Sequence, residues 1–432
     1  MSTIQAIRGT RDILPNESPL WQTIETIAKD ALAQAAYREI RTPVFEKTEL
    51  FARGIGEATD AVGKEMYSFE DRGGRSIALR PEITAGLVRA FIQNKLFAQG
   101  GVQRLWHLGP AFRYERRHAG RQRHFQLLDV EILGSRDARA DVEIIAIATQ
   151  ILTTLGLKSL SLDLNSVGSG EDRQAYRDAL VAYFTPYKDE LDTDSQDRLI
   201  RNPLRILDSK DQRTQELVTD APSLLDYLSA DSQSHFDAVQ QHLTNLGIDY
   251  TINPRLVRGL DYYTHTAFEI QSSDLGAQAT VCGGGRYDGL VSQLGGPDTP
   301  AIGFGMGIER LIILLEQMER YSTTPDLDIY LISRGEKAEF QSAQLANTLR
   351  QAGYSVEVDL SGSAFGKQFK RADRSGAVVG LILGEAEAEA NKVQLKWLAS
   401  GEQAEMAQAE LLAQTDELQA KIATVRSGSG AT

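Results

Sequence analysis

Apolar residues recur at Leu20, Ile24, Ile27, Ala28, Ala31 and Ala35, close to the period of a helix over 17–36. A short strand is predicted over 38–41, ending before Pro43, then a strand over 76–80 and a helix over 83–98. Two apolar runs, 105–108 and 125–133, flank a polar stretch. That pattern predicts a hairpin of two buried strands joined by a long loop. A helix over 138–155 and a strand over 159–165 follow. Residues 170–245 change character, with many charges, Gln and Ser and helical spacing only in short pieces, which reads as a mostly helical insertion. Glycine-rich strand material resumes at 255–305, and a helix from Ile308 to about Glu319 closes the region. No internal repeat is apparent.

The remaining residues read as a separate domain. Strands at 328–332, 354–358 and 378–383 alternate with helices near 338–352 and around Phe365, Phe369 and Ala372. Such alternation predicts a small parallel or mixed α/β domain. Val393, Leu395 and Trp397 alternate as an added strand, and the chain ends in a tail, 425–432, that reads as flexible.

Composition narrows the function classes. A chain of 432 residues suggests about two to four domains. With 42% hydrophobic and 24% charged residues it reads as a soluble globular protein. No run approaches the ~20 apolar residues of a membrane span, and the first residues lack the pattern of a signal peptide. A cytoplasmic protein with no membrane partner is therefore expected. The single cysteine, Cys282, excludes an internal disulfide and a cysteine-rich zinc site. The six histidines show no metal-ligand spacing, so no protein-bound metal is expected, and no Ser–His–Asp assembly can be argued. A net charge of −13 argues against a general DNA binder, yet phosphate binding needs only a local positive surface. Positive charge is concentrated at 113–124, with a smaller group at Lys367, Lys370, Arg371 and Arg374.

The 113–124 segment holds five arginines and two histidines, His118 and His124, with Glu115 its single acid. Guanidinium groups present rigid donor forks that suit phosphate oxygens, so the loop points to a nucleotide or nucleic-acid phosphate. The rival reading is a solvated patch making surface ion pairs. In the segment 303–311 a glycine-rich strand runs into a helix bearing Arg310, but its spacing fits neither a dinucleotide fingerprint nor a P-loop. Its glycines serve either close strand–helix packing or room for a nucleotide. The segment 256–264 sets Arg258, Asp261, Tyr262 and Tyr263 in an apolar strand-and-turn, as a buried Arg258–Asp261 pair or as an arginine facing an anion. Residues 80–84 offer Glu82 and Thr84 just past a strand end, or simply a helix start.

Taken in order, these segments resemble the class II aminoacyl-tRNA synthetases, and nearly the whole chain is similar to the histidyl-tRNA synthetase family. TyrArgGluIleArgThrProValPheGlu (37–46) resembles the class II dimer-interface motif, PheArgTyrGlu (112–115) opens the second motif, and GlyPheGlyMetGlyIleGluArg (303–310) resembles the third. LeuValArgGlyLeuAspTyrTyr (256–263) and GlyGlyGlyArgTyrAspGlyLeu (283–290) resemble the two histidine-specific motifs. The resemblance implies an α+β fold, a class II synthetase antiparallel sheet flanked by helices, plus a C-terminal α/β anticodon-binding domain. It implies a catalytic core in two parts, 1–169 and 246–322, around the 170–245 insertion, with the anticodon-binding domain at 326–424.

It also implies roles. Arg113 grips the ATP α-phosphate and the amino-acid carboxylate, Glu115 contacts the adenine, and Arg121 and Arg310 complete the ATP site, Arg310 at the γ-phosphate. Arg258 stabilises charge building at the α-phosphorus, making Arg113 and Arg258 the catalytic pair. Glu82 and Thr84 receive the histidine α-amino group, Glu131 and Tyr263 hydrogen-bond the imidazole nitrogens, and Tyr262 and Tyr287 complete the pocket. A neutral imidazole offers one donor and one acceptor, which a carboxylate and a phenol can read together. The implied function is an ATP-dependent histidine–tRNA ligase acting as a homodimer, with ATP as substrate accompanied by Mg2+, and histidine and tRNA(His) as partners.

Several positions depart from the family pattern. Where the second motif usually runs PheHisGlnLeuGly, this chain has PheGlnLeuLeuAsp at 125–129. Leu127 thus occupies the place of a glutamine that helps bind substrate, and Gln126 points to the opposite face. Loss of one polar contact costs about 1–3 kcal/mol. Ile83 stands where the pattern has glycine, and isoleucine does not adopt positive φ cheaply, so a different backbone is expected there. The alternative function is a catalytically weak, synthetase-like regulator that binds histidine or tRNA, for example a subunit of ATP phosphoribosyltransferase. Such subunits lack the C-terminal anticodon-binding domain.

Overall fold

The computed structural model describes residues 3–56, 59–115, 120–256, 259–274, 280–318 and 327–428. The chain divides into two compact units, Met1–Tyr321 and Ser322–Thr432.

In the first unit the strands are β1 (Arg38–Glu39), β2 (Phe45–Lys47), β3 (Ser68–Glu70), β4 (Ser76–Leu79), β5 (Gln103–Phe112), β6 (His124–Leu133), β7 (Leu160–Ser166), β8 (Thr251–Ile252), β9 (Thr264–Ser272), β10 (Thr280–Arg286) and β11 (Ala301–Gly307). Eight of them form one sheet in the order β1-β5-β6-β11-β10-β9-β7-β8. Its six central strands pair antiparallel, while the short edge strands β1 and β8 pair parallel with β5 and β7. The expected hairpin is present, with β5 and β6 paired from Gln103↔Leu133 to Phe112↔His124.

Period-two alternation gives this sheet two faces of opposite chemistry. Leu128, Val130 and Ile132 of β6 and Ile302, Phe304 and Met306 of β11 join one core with Leu20, Ile24 and Ala28 of the helix Ser18–Gln34 and Ile144, Ala148 and Ile151 of the helix Ala138–Thr154. The residues between them belong to the other face: Phe125, Leu127, Asp129 and Glu131 on β6, and Gly303, Gly305 and Gly307 on β11. Burying each large aliphatic side chain stabilises by roughly 1.5–3 kcal/mol. A one-residue slip of β6 would forfeit several such terms and drive two carboxylates into the core, so packing on one face fixes the register of the other.

A three-stranded sheet, β2-β4-β3, leads out of β4 into the helix Thr84–Gln93. That helix is shorter than the predicted 83–98, because Lys95 takes a left-handed φ of 51° and the chain continues as a 3-10 turn, Leu96–Gln99. Ile83 has φ −105° and is fully buried, an ordinary backbone for isoleucine. The segment 170–245 is helical in four main pieces, Gly170–Phe184, Thr193–Arg201, Gln212–Thr219 and Ala230–Asn245. Its polar richness is partly capping: Ser169, Asp192, Asp211 and Ser229 each accept a backbone N–H from the first turn of the helix they precede. The predicted strand character before Thr264 is absent among the described residues, where 259–263 form bends and turns that enter β9.

In the second unit, β12 (Ile329–Ser333), β13 (Val356–Val358), β14 (Val379–Leu383), β15 (Lys392–Trp397) and β16 (Gln403–Ala407) form a sheet in the order β13-β12-β14-β15-β16. The first three are parallel and the last two antiparallel, which is the expected mixed α/β arrangement. Strand β16 and the helices Gln408–Ala413 and Thr415–Gly428 were not anticipated.

Candidate active site

Glycine on β10 and β11 leaves the polar face of the sheet hollow, and two cavities open there. One, of about 180 Å³, is lined by Arg113, Glu115, Arg121, Phe125, Glu309 and Arg310. The other, of about 130 Å³, is lined by Glu82, Thr84, Arg113, Leu127, Asp129, Glu131, Tyr262, Tyr263 and Tyr287. Arg113, Gly283 and Gly305 line both. The two cavities are therefore neighbours across a single arginine.

The first cavity is cationic. Arg113 leaves β5 with its Nε donating to the Pro81 carbonyl at 2.8 Å and its guanidinium over the Phe125 ring at 5.6 Å. Arg121 donates to Glu115 at 3.0 Å, and Arg113 lies 3.8 Å from the same carboxylate. Arg310, in the first turn of the helix Ile308–Gln317, donates to the Thr280 carbonyl. Burial, and then the charge of Arg121, pull the Arg310 pKa down. Two guanidinium groups repelling each other across a half-buried cleft will gain from an anion between them. Glu309 accepts the Gln126 N–H at 2.9 Å where the β6–β11 ladder ends, and burial pushes its pKa up to about 7.

The second cavity is narrow, buried and acidic. Tyr287 donates to Glu131 Oε2 at 2.6 Å, while Thr84 Oγ1 lies 2.8 Å from Glu131 Oε1 and 3.2 Å from Asp129 Oδ1. Glu82 Oε1 accepts the Ala85 N–H at 2.9 Å, so this carboxylate caps the helix that Thr84 begins. Glu82 Oε2 and Asp129 Oδ2 are buried and have no hydrogen-bond partner among the described residues. Burial raises all three acids: Glu131 to about 8, Glu82 above the usual carboxylate range, and Asp129 well above it, helped by the charges of Glu131 and Glu82. Tyr262 packs against Tyr263 at 4.8 Å and edge-on against Tyr287 at 5.5 Å. Beneath lies the buried Arg80, whose guanidinium donates to the Pro110 carbonyl at 2.6 Å and to Thr42 at 3.1 Å.

Tyr287 is held by a buried ionic knot. Arg286, 1% exposed, pairs with Asp141 and, at 3.1 Å, with Asp288, while His235 of the insertion contacts Asp141 at 3.2 Å. Asp288 also accepts the Ala301 N–H at 3.0 Å, stapling the turn that carries Tyr287 to β11.

Every expected site residue within the described residues falls into these two cavities: Glu82, Thr84, Glu131, Tyr262, Tyr263 and Tyr287 in the acidic one, Glu115, Arg121 and Arg310 in the cationic one, and Arg113 in both. Arg258 and His118 lie outside the described residues, and so does any Arg258–Asp261 pair. Asp261 accepts from Asn202 at 3.1 Å. His124 stacks on Phe112 with ring centroids 5.1 Å apart. Leu127 lines the acidic cavity, which is the face anticipated for it. Sequence reasoning passed over Asp129, Phe125, Glu309 and Arg80. Asp129 had a usable signal, since it alternates with Glu131 on one strand face. Among the described residues, no group of three or more His, Cys, Asp or Glu is placed to hold a metal ion, and no helix is long and apolar enough to cross a membrane.

Comparison with known proteins places this geometry. The model of the histidyl-tRNA synthetase family matches residues 9–311. The chain belongs to that family. An anticodon-binding domain model matches residues 328–418. A histidine–tRNA ligase of Picosynechococcus sp. is 66% identical over 422 residues, 98% of this chain and 99% of that protein. One from Synechocystis sp. is 67% identical over 423 residues, 98% of this chain and 94% of that protein. The crystal structure of apo histidyl-tRNA synthetase from S. aureus superposes with a TM-score of 0.81 at 38% identity, covering 95% of this chain and 99% of that one.

Proposed function

We propose that the chain is a histidine–tRNA ligase. It activates histidine with ATP to histidyl-adenylate and passes the histidyl group to tRNA(His). The observation that carries this reading is the pair of cavities meeting at Arg113, one lined by arginines and one by buried acids and tyrosines.

In the first step the histidine carboxylate attacks the ATP α-phosphorus and pyrophosphate leaves. In the second a terminal ribose hydroxyl of the tRNA attacks the acyl carbon and releases AMP. Arg113, bordering both cavities, is suited to hold the α-phosphate and the amino-acid carboxylate together, turning a bimolecular encounter into a positioned displacement. Glu115 takes the adenine, and Arg121 and Arg310 take the outer phosphates, with the Mg2+ that accompanies ATP as part of that substrate. Glu82 and Thr84 receive the α-ammonium. Glu131 and Tyr263 read the two imidazole nitrogens, and Tyr262 and Tyr287 close the pocket. Arg258 is assigned the charge developing at the α-phosphorus by resemblance of its motif to the family's.

We assign 1–169 and 246–322 to the catalytic core, 170–245 to an insertion and 326–424 to the unit that meets the anticodon. A cytoplasmic homodimer is the expected form. The match to an anticodon-binding domain favours a ligase over the regulatory alternative, whose members lack that domain.

Histidine-dependent exchange of pyrophosphate into ATP, followed by charging of tRNA(His), tests the proposal. Exchange and charging are expected. Histidine binding without exchange would replace the ligase with the regulatory reading.

A further inference from the structure

Asp129 and Leu127 stand two residues apart on the pocket face of β6, and both line the acidic cavity. In the family pattern the position of Leu127 is a glutamine that contacts substrate and that of Asp129 is a glycine. This chain carries a hydrocarbon at the first and a carboxylate at the second.

Asp129 is not consumed by the surrounding protein. It is 3% exposed, its Oδ2 has no hydrogen-bond partner among the described residues, and its Oδ1 sits 3.2 Å from the Thr84 hydroxyl. That hydroxyl has one hydrogen and two acceptors to choose from, Asp129 Oδ1 and Glu131 Oε1, the latter nearer at 2.8 Å. The cation beneath, Arg80, donates to the Pro110 and Pro43 carbonyls and to Thr42. A buried carboxylate with an unpaired oxygen is costly, and burial together with the charges of Glu131 and Glu82 pushes its pKa well above the usual carboxylate value. A ligand ammonium satisfies it directly. Glu82, which lines the same cavity, also has a buried oxygen, Oε2, with no hydrogen-bond partner among the described residues.

We propose that Asp129 is a substrate-binding residue that seats the α-ammonium group of histidine together with Glu82, supplying the polar contact that Leu127 does not offer. The assignment rests on the reading of this cavity as the histidine site. It makes the pocket select for a cationic amine through a carboxylate pair, where an amide would serve as a neutral acceptor.

The test compares ligands by calorimetry on the full-length chain. Histidine and histidinol carry the α-amine, and imidazole-4-propionate lacks it. Asp129→Asn is expected to weaken histidine and histidinol by roughly 10- to 100-fold, the range of one charge-assisted hydrogen bond, and to leave imidazole-4-propionate within about two-fold. In exchange assays the loss appears mainly in KM for histidine. Equal weakening of all three ligands, or of none, overturns the proposal. If Asp129→Asn does not fold, Leu127→Gln decides. A gain under about three-fold in histidine affinity is expected if Asp129 already fills the role, and a ten-fold gain overturns it. Wild-type exchange is measured first, so its absence counts against the ligase reading, while exchange with unchanged Asp129→Asn binding counts against Asp129 alone.

Discussion

Gly303 and Glu131 are cross-strand partners, and a methyl group on the glycine would overlap the Glu131 carboxylate oxygen Oε2. The missing side chain lets a buried acid lie across the sheet with both oxygens engaged, one by Tyr287 and one by Thr84. The same substituent would also press to 2.6 Å on the Val130 carbonyl, which is backbone and does not yield.

Gly303→Ala is therefore expected to displace Glu131 and abolish histidine binding, with a stability loss of about 1–3 kcal/mol from overpacking. Gly303 does not line the arginine cleft, so ATP binding should survive. Separate titrations of histidine and ATP check this. A variant that binds histidine like wild type would refute the placement of the carboxylate in the pocket.

Tyr287→Phe keeps the ring that packs against Tyr262 and removes the hydroxyl that donates to Glu131. Above about pH 8, where Glu131 is ionised, losing one hydrogen bond to its carboxylate costs about 1.5–3 kcal/mol. We expect KM for histidine to rise by at least ten-fold in pyrophosphate exchange while KM for ATP stays near wild type. An equal rise in both would mean that Tyr287 supports the fold around the whole site and not the acid alone.

The fold was legible wherever hydrophobic spacing was long and regular: the hairpin of β5 and β6, the helix Ala138–Thr154, and the alternating strands of the second unit. Short elements escaped. β2 and β3 have three residues each, too few for a period to show, and β16 exposes four of its five residues, so no apolar alternation marked it. The helix after Thr84 was overrun because Asn94 and Lys95 are acceptable helix formers, and only the left-handed turn at Lys95 ends it. The site was legible mostly through motif resemblance. The arginines of the 113–124 segment announce themselves by crowding, whereas the acidic pocket is assembled from Glu82, Asp129 and Glu131, which approach only when β6 passes the start of the helix Thr84–Gln93. Asp129 went unnoticed because the family pattern has glycine in its place. Arg80 went unnoticed because a buried structural arginine and a catalytic one read alike in sequence.

The raised pKa of Glu131 gives a stability prediction with a defined sign. The cavity it shares holds the acids Glu82 and Asp129, the cation Arg113, the rings of Tyr262 and Tyr263, and the hydroxyls of Thr84 and Tyr287 that meet its oxygens. Burial lifts its folded-state pKa from 4.5 to about 8, so between those values the folded chain holds a proton that the unfolded chain has released. Stability then falls with rising pH across this window, because the folded state binds more protons. The penalty is absent below about pH 4.5 and complete above about pH 8. Glu131→Gln cannot titrate, yet its amide oxygen still accepts from Tyr287. Relative to wild type it should gain stability as pH rises from 5 to 9, by a few kcal/mol at most on the scale of ~1.4 kcal/mol per pKa unit. The same variant should lose histidine-dependent exchange at every pH, since the imidazole meets an amide in place of a carboxylate. Urea unfolding midpoints for both chains across that range give the comparison. Curves that run parallel would show that Glu131 is ionised in the folded chain near neutrality and would overturn its raised pKa.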